Sequence, residues 1–254
     1  MSGIGFKEIR ASMNEAKIAS DRRNWWIWIA MRPASYPLTW LALQLRLSPN
    51  FVTCLYFLAN ILAAIFFITA SCEGMIYGSL LYNLGLVLDC VDGNMARTTG
   101  KTSPLGWFLD TLGADFFYAV FFIPIGIGVA LSDNYTRFFE NPVWFVALGS
   151  STTASILLYR ISRMRLHLAS AQTNVTEPKK EKPALSAPYG IRKLALVIYS
   201  NVMTAGGCML PLIVIASLYQ LVDVFVITYG IVSPLIISLV IGYHTMRFVK
   251  RSSR

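Results

Sequence analysis

Long, nearly unbroken apolar stretches dominate this chain, and its polar residues collect in the gaps between them. A helix crossing the roughly 30 Å hydrocarbon core of a bilayer needs about 20 mostly apolar residues. Six stretches meet that length, at about 51–70, 75–96, 105–131, 142–160, 194–218 and 224–246. A further apolar run, Trp25-Trp26-Ile27-Trp28-Ile29-Ala30-Met31, is too short to span. Flanked by Arg22, Arg23 and Arg32, it reads as an amphipathic helix at headgroup level. The pattern predicts an all-α integral membrane protein with six transmembrane helices, preceded by that N-terminal interfacial helix. Residues 1–48 form the N-terminal segment, 49–248 one membrane domain and 249–254 a basic tail. The first 24 residues are polar and lack the apolar core of a secretory signal. Residues 161–190, with the run Lys179-Lys180-Glu181-Lys182-Pro183, read as the one substantial loop.

Composition agrees: 55% hydrophobic and 14% charged residues, with a mean hydropathy of +0.55, exclude an ordinary soluble domain. The charges add an orientation. Of 22 Lys and Arg, all but Arg137 fall before the first span, between the second and third, between the fourth and fifth, or after the last. The positive-inside rule then puts both termini, and the turn between the second and third spans, in the cytoplasm. The net charge of +9 serves topology and the anionic leaflet; its scatter along membrane flanks argues against a nucleic-acid partner. Cys54, Cys72, Cys90 and Cys208 have no disulfide or zinc spacing.

Four of the seven aspartates, Asp89, Asp92, Asp110 and Asp115, lie inside predicted spans. A carboxylate at membrane depth marks a functional site by default. Counting 1.5 Å per residue from the outer end of the second span places Asp89 roughly 9 Å below the cytoplasmic face. Counting inward from the start of the third places Asp110 at about the same depth. Asp89 and Asp92 share a helix face, and Gly93 and Ala96 follow on nearly the same one, where small residues admit close approach. Converging carboxylates repel unless protonated or bridged by cations. Oxygen ligands without Cys or His select hard ions such as Mg²⁺ or Mn²⁺, and a pair of them can clamp a phosphate. Arg97 at the helix end can neutralise a phosphate oxygen.

The run Asp89-x2-Asp92-Gly93-x2-Ala96-Arg97-x8-Gly106-x3-Asp110 resembles the signature of the CDP-alcohol phosphotransferases, also called CDP-alcohol phosphatidyltransferases. Seven specified positions make a chance match on the order of one in 10⁹ per start site. Pro49-Asn50 with Thr53 is similar to that family's opening of its first helix. The resemblance implies transfer of a phosphoalcohol group, phosphatidyl above all, from a CDP-linked donor such as CDP-diacylglycerol to an alcohol acceptor, with release of CMP. It implies two Mg²⁺ or Mn²⁺ ions on Asp89, Asp92, Asp110 and a fourth aspartate that also deprotonates the acceptor. It assigns Asn50, Thr53, Gly93, Ala96, Arg97 and Gly106 to the CDP portion, and it implies a homodimer.

The fourth aspartate departs from the pattern. The family places it four residues after the third, and position 114 is alanine; Asp115 stands one residue late. On a regular helix a four-residue step turns about 40° from Asp110, and a five-residue step about 140°. A π turn near Gly113 would bring Asp115 back into the metal site as base. The other accounts are a different base, or a catalytically impaired relative that binds nucleotide and metal only. Arg160, Arg163 and Arg165 after the fourth span, and Arg192 and Lys193 before the fifth, offer a basic pocket for a phosphorylated acceptor or the donor's phosphate, or else a plain topology signal with headgroup contact; Arg160 and Arg192 lie nearest the membrane. Two rival classes stay open: an aminoalcohol phosphotransferase using a CDP-choline-like donor, and a proton-coupled carrier.

Overall fold

The computed structural model describes residues 5–135, 138–172 and 200–252. Among them there is no strand. Two short helices, α1 (Phe6–Ala11) and α2 (Glu15–Asp21), precede a π-helical turn, Ile27–Met31, that runs into α3 (Arg32–Gln44). The long helices follow: α4 (Pro49–Ile68), α5 (Cys72–Thr99), α6 (Pro104–Leu131) and α7 (Val143–Gln172). A second π turn, Ala205–Met209, leads into α8 (Leu210–Leu218), and α9 (Val222–Ser252) closes the chain.

Local chemistry sets these boundaries. Ser48, Ser71 and Ser103 each cap a helix by accepting a hydrogen bond from the backbone N–H three residues on. Pro49 and Pro104 occupy first-turn positions, where a missing N–H costs nothing. Gly100, at φ 67°, ends α5 in the left-handed conformation and frees the chain to turn into α6.

The chain is an all-α, multi-pass integral membrane protein. Helices α4, α5, α6 and the part of α9 from Val222 to Gly242 are long and apolar enough to cross a bilayer. Helix α7, with 30 residues, has the length, but Ser150, Ser151, Thr152, Thr153 and Ser155 dilute its apolar character. The expected fifth span begins outside the described residues; its described part is the shorter apolar helix Ala205–Leu218. The expected interfacial helix is longer than the Trp25–Met31 run, because α3 carries it on to Gln44 despite Pro37.

Helix α4 packs on α5 and α6, α6 on α7, α7 on α9, and α3 lies across α5. The α6–α7 contact is close because glycines face backbone from both sides. A Cβ on Gly126 would sit 2.5 Å from the Phe145 carbonyl oxygen, and one on Gly149 2.5 Å from that of Phe122. An aromatic core of Phe67, Tyr82, Phe117, Phe121, Phe122 and Phe225 fills one half of the bundle. Tyr82 precedes Asp89 on α5 by seven residues and Phe117 follows Asp110 on α6 by seven, about 10 Å along each helix. The carboxylates therefore begin at the same level on both helices, where the dry core ends.

Candidate metal and nucleotide site

Thr53 on α4 donates its hydroxyl hydrogen to Asp92 Oδ2 at 2.6 Å, so α4 and α5 meet at the motif. Asp92 is buried, Asp89 half-buried and Asp110 exposed. Asp89 and Asp92 lie three residues apart on α5, and Asp110 lies in the second turn of α6, just past the Gly100 turn that joins the two helices. Among the described residues, the Asp89 and Asp110 carboxylates accept no side-chain hydrogen bond and form no ion pair, and Asp92 has only Thr53 among side chains. Three mutually repelling carboxylates with open oxygens form a donor set suited to hard divalent cations. Among the described residues, no three acidic, His or Cys side chains stand together as a ready cation site.

Arg97, one turn beyond Gly93, folds back over it. A Cβ at Gly93 would lie 3.2 Å from Arg97 Nη1, so glycine leaves the guanidinium its place. Arg97 Nη2 donates to Asn94 Oδ1 at 2.9 Å, and Arg97 Nε is buried without a partner among the described residues. An unanswered buried donor beside open carboxylates suits a phosphate oxygen. Asn50 and Gly106 also come together: a Cβ on Gly106 would stand 3.9 Å from Asn50 Oδ1. Ser103 caps Gly106 N–H at 3.0 Å. Ala96 is half-buried on the same helix as Arg97.

Asn94 is the hub that sequence reading passed over. Its Oδ1 accepts from both Arg97 and Arg32 Nη1, each at 2.9 Å, and its Nδ2 donates to Ser35 Oγ at 3.0 Å and Thr39 Oγ1 at 3.2 Å. Arg32 is 2% exposed and pairs with Asp21, 1% exposed, through Nε and Nη2, both at 2.8 Å. Lys17 reaches the other Asp21 oxygen at 3.2 Å. The N-terminal helices are thus wired to the motif arginine. The signals in the sequence were Asp21 and Arg32, a charged residue on either side of the apolar run, and Arg32-Pro33-Ala34-Ser35 just after it.

Helix α6 carries no π turn, so Asp115 stays about 140° around from Asp110. Its carboxylate faces α7 and forms an ion pair with Arg160, whose guanidinium also lies 5.8 Å from the Tyr118 ring centroid. Of the accounts the spacing leaves open, the π turn is absent from α6. Gly113 instead makes room for a ring. Tyr56 donates its hydroxyl hydrogen to the Gly113 carbonyl at 2.7 Å, and a Cβ there would stand 2.9 Å from Tyr56 Cε1. The two π turns found among the described residues, Ile27–Met31 and Ala205–Met209, flank the N-terminal contact with the 200–204 segment. There Asn201 accepts from Trp25 N–H at 2.8 Å and donates to the Arg23 carbonyl at 2.9 Å. Arg192, Lys193 and the Lys179–Pro183 run lie outside the described residues.

Fold and sequence together define a helical membrane protein with an acidic, arginine-bearing motif at the α5–α6 turn. Residues 46–229 match the CDP-alcohol phosphatidyltransferase family, and the chain belongs to it. A 68-residue stretch is 37% identical to the archaetidylinositol phosphate synthase of Pyrococcus horikoshii, covering 27% of this chain and 35% of that protein. The match therefore spans about a third of the curated relative's length. No solved structure matches the chain.

Proposed function

We propose that the protein is a membrane phosphotransferase that moves a phosphoalcohol group from a CDP-linked donor to an alcohol acceptor and releases CMP. The observation that carries this reading is the pair Asp89 and Asp110, carboxylates without a side-chain partner among the described residues, with Asp92 on the same helix as Arg97, whose Nε is unanswered. Family membership supplies the reaction class.

Asp89, Asp92 and Asp110 would hold two Mg²⁺ or Mn²⁺ ions, which supply charge neutralisation on the oxygens of the in-line displacement. Thr53 fixes Asp92 through Oδ2. Arg97, oriented by Asn94, takes a donor phosphate oxygen, and Gly93 leaves the space for it. Gly106 and Asn50, side by side at the starts of α6 and α4, border the nucleotide. The acceptor oxygen forms the new bond to phosphorus as the bond to the CMP oxygen breaks.

Removal of the acceptor proton has the weakest provision. Ala114 holds the position in register with Asp110, and the Arg160 ion pair holds Asp115 against α7, away from the metal set. This supports the impaired-catalysis reading at that step alone: donor and metal binding intact, turnover slow. Basic flanks and the relative's name favour a lipid donor over a CDP-choline-like one, and a phosphorylated polyol acceptor. The site opens to the cytoplasm, both termini lie there, and the unit is a homodimer on the family pattern.

The test is CMP release by purified protein from labelled CDP-diacylglycerol, with inositol phosphate and other polyols as acceptors, before and after chelation. Metal-dependent release that Asp89→Asn abolishes is expected. Substrate flux through proteoliposomes without CMP would replace this reading with a carrier.

A further inference from the structure

The N-terminal helices enclose a cavity of about 390 Å³ that the transferase reading does not use. Arg10 from α1, Arg22 after α2 and Arg32 from α3 line it, with Met13, Trp28 and Tyr36 as apolar and aromatic wall. The three arginines differ in one respect. Arg32 is neutralised and held by Asp21, Asn94 and the Cys90 carbonyl. The Arg10 and Arg22 guanidiniums make no ion pair or hydrogen bond among the described residues, and Arg22 rests on the Trp28 ring at 5.1 Å. Among the described residues, no acidic side chain lines the cavity. Its wall therefore carries two unanswered planar cations, the donor geometry that suits phosphate.

The surroundings identify the source of that phosphate. Trp25, Trp28, Ile29, Trp40, Leu41 and Leu45 are all exposed around this cap, and Phe6 stacks on Trp40 at 6.0 Å. Exposed tryptophans beside exposed aliphatics mark the headgroup level of a bilayer. A cavity opening there meets lipid phosphates at high local concentration, and its apolar wall of Met13, Trp28 and Tyr36 accommodates glycerol or the start of an acyl chain. We propose that the cavity between α1, α2 and α3 is a binding site for the headgroup phosphate of an anionic membrane phospholipid, held by Arg10 and Arg22. The site shares its floor residue, Arg32, with the Asn94 hub, so a lipid there abuts the element that orients Arg97.

Lipid binding at this cavity can be measured directly, without an activity readout. Native mass spectrometry of the full chain in neutral detergent would titrate short-chain phosphatidylglycerol, phosphatidylcholine and inorganic phosphate. One tightly retained phosphatidylglycerol is expected, weakened about thirtyfold in Arg10→Gln/Arg22→Gln. Lys7→Gln/Arg23→Gln, the same charge change away from the cavity, should bind as the parent does. Thermal unfolding of each variant checks that the cap is intact. Equal weakening in both double variants, unchanged binding in the first, or equally tight phosphatidylcholine would overturn the site. Inorganic phosphate binding as tightly as the lipid would overturn the assignment to a membrane source.

Discussion

Among the described residues, no side chain forms an ion pair or hydrogen bond with the Asp89 or Asp110 carboxylate. A carboxylate persists at membrane depth only if protonated or neutralised. Asp89→Asn keeps the shape and removes one anionic ligand, so metal-dependent CMP release should fall at least about a thousandfold. Retention of activity above a tenth of the parent's would remove Asp89 from the ligand set. Asn94 makes a subtler prediction. It is the one side chain hydrogen-bonded to Arg97 among the described residues, and it touches no reacting atom in this assignment. Asn94→Ala frees Arg97 to swing away from the donor phosphate. The KM for the CDP-linked donor should rise about tenfold with kcat within about threefold, the pattern of a lost ground-state contact. Asn94→Asp, which still accepts from both arginines, should recover most of the affinity, a recovery that repacking alone would not give.

At the scale of elements, α6 decides what the fourth aspartate does. A regular helix keeps Ala114 near the Asp110 face and turns Asp115 to Arg160 on α7. Ala114→Asp should therefore raise turnover about a hundredfold, the usual contribution of a positioned general base, whereas Asp115→Asn should change it less than about threefold. A hundredfold loss in Asp115→Asn, with no gain in Ala114→Asp, would mean that α6 rewinds when substrate binds. The residue spacing poses the rotation question on α6 without deciding it. Gly113 was legible as a permissive position; that the Tyr56 ring needs the space was not, because Tyr56 is 57 positions away and comes close only once α4 packs on α6. The motif aspartates were legible because spanning helices are counted in fixed steps from the membrane faces. The Asp21–Arg32–Asn94 chain was not, since it depends on how a cap of short helices docks on α5, and no periodicity encodes that docking.

At the scale of the molecule, the carboxylate level and the charge asymmetry make one connected claim. The long apolar helices and the aromatic core fix the bundle without choosing which face is cytoplasmic. That choice rests on 21 of 22 basic residues falling to one side of the predicted spans, the side of the α5–α6 turn. The nucleotide end of a CDP-linked donor, lipid or not, is too polar to cross the bilayer and faces the cytosol, so the proposed chemistry requires the same orientation as the charges. The two lines converge on the turn at Gly100 and Lys101, opposite the loop at Ser132 and Asp133. In a Cys72→Ser background, a membrane-impermeant maleimide added to intact cells should label Asp133→Cys and leave Lys101→Cys unmodified until the cells are opened. The reverse pattern would place the motif on the outer face, away from any cytosolic nucleotide, and would end the transferase assignment even if the purified protein bound cations. Labelling of both positions in intact cells would mean that the chain inserts in two orientations, in which case only the copies with Lys101 protected should account for CMP release.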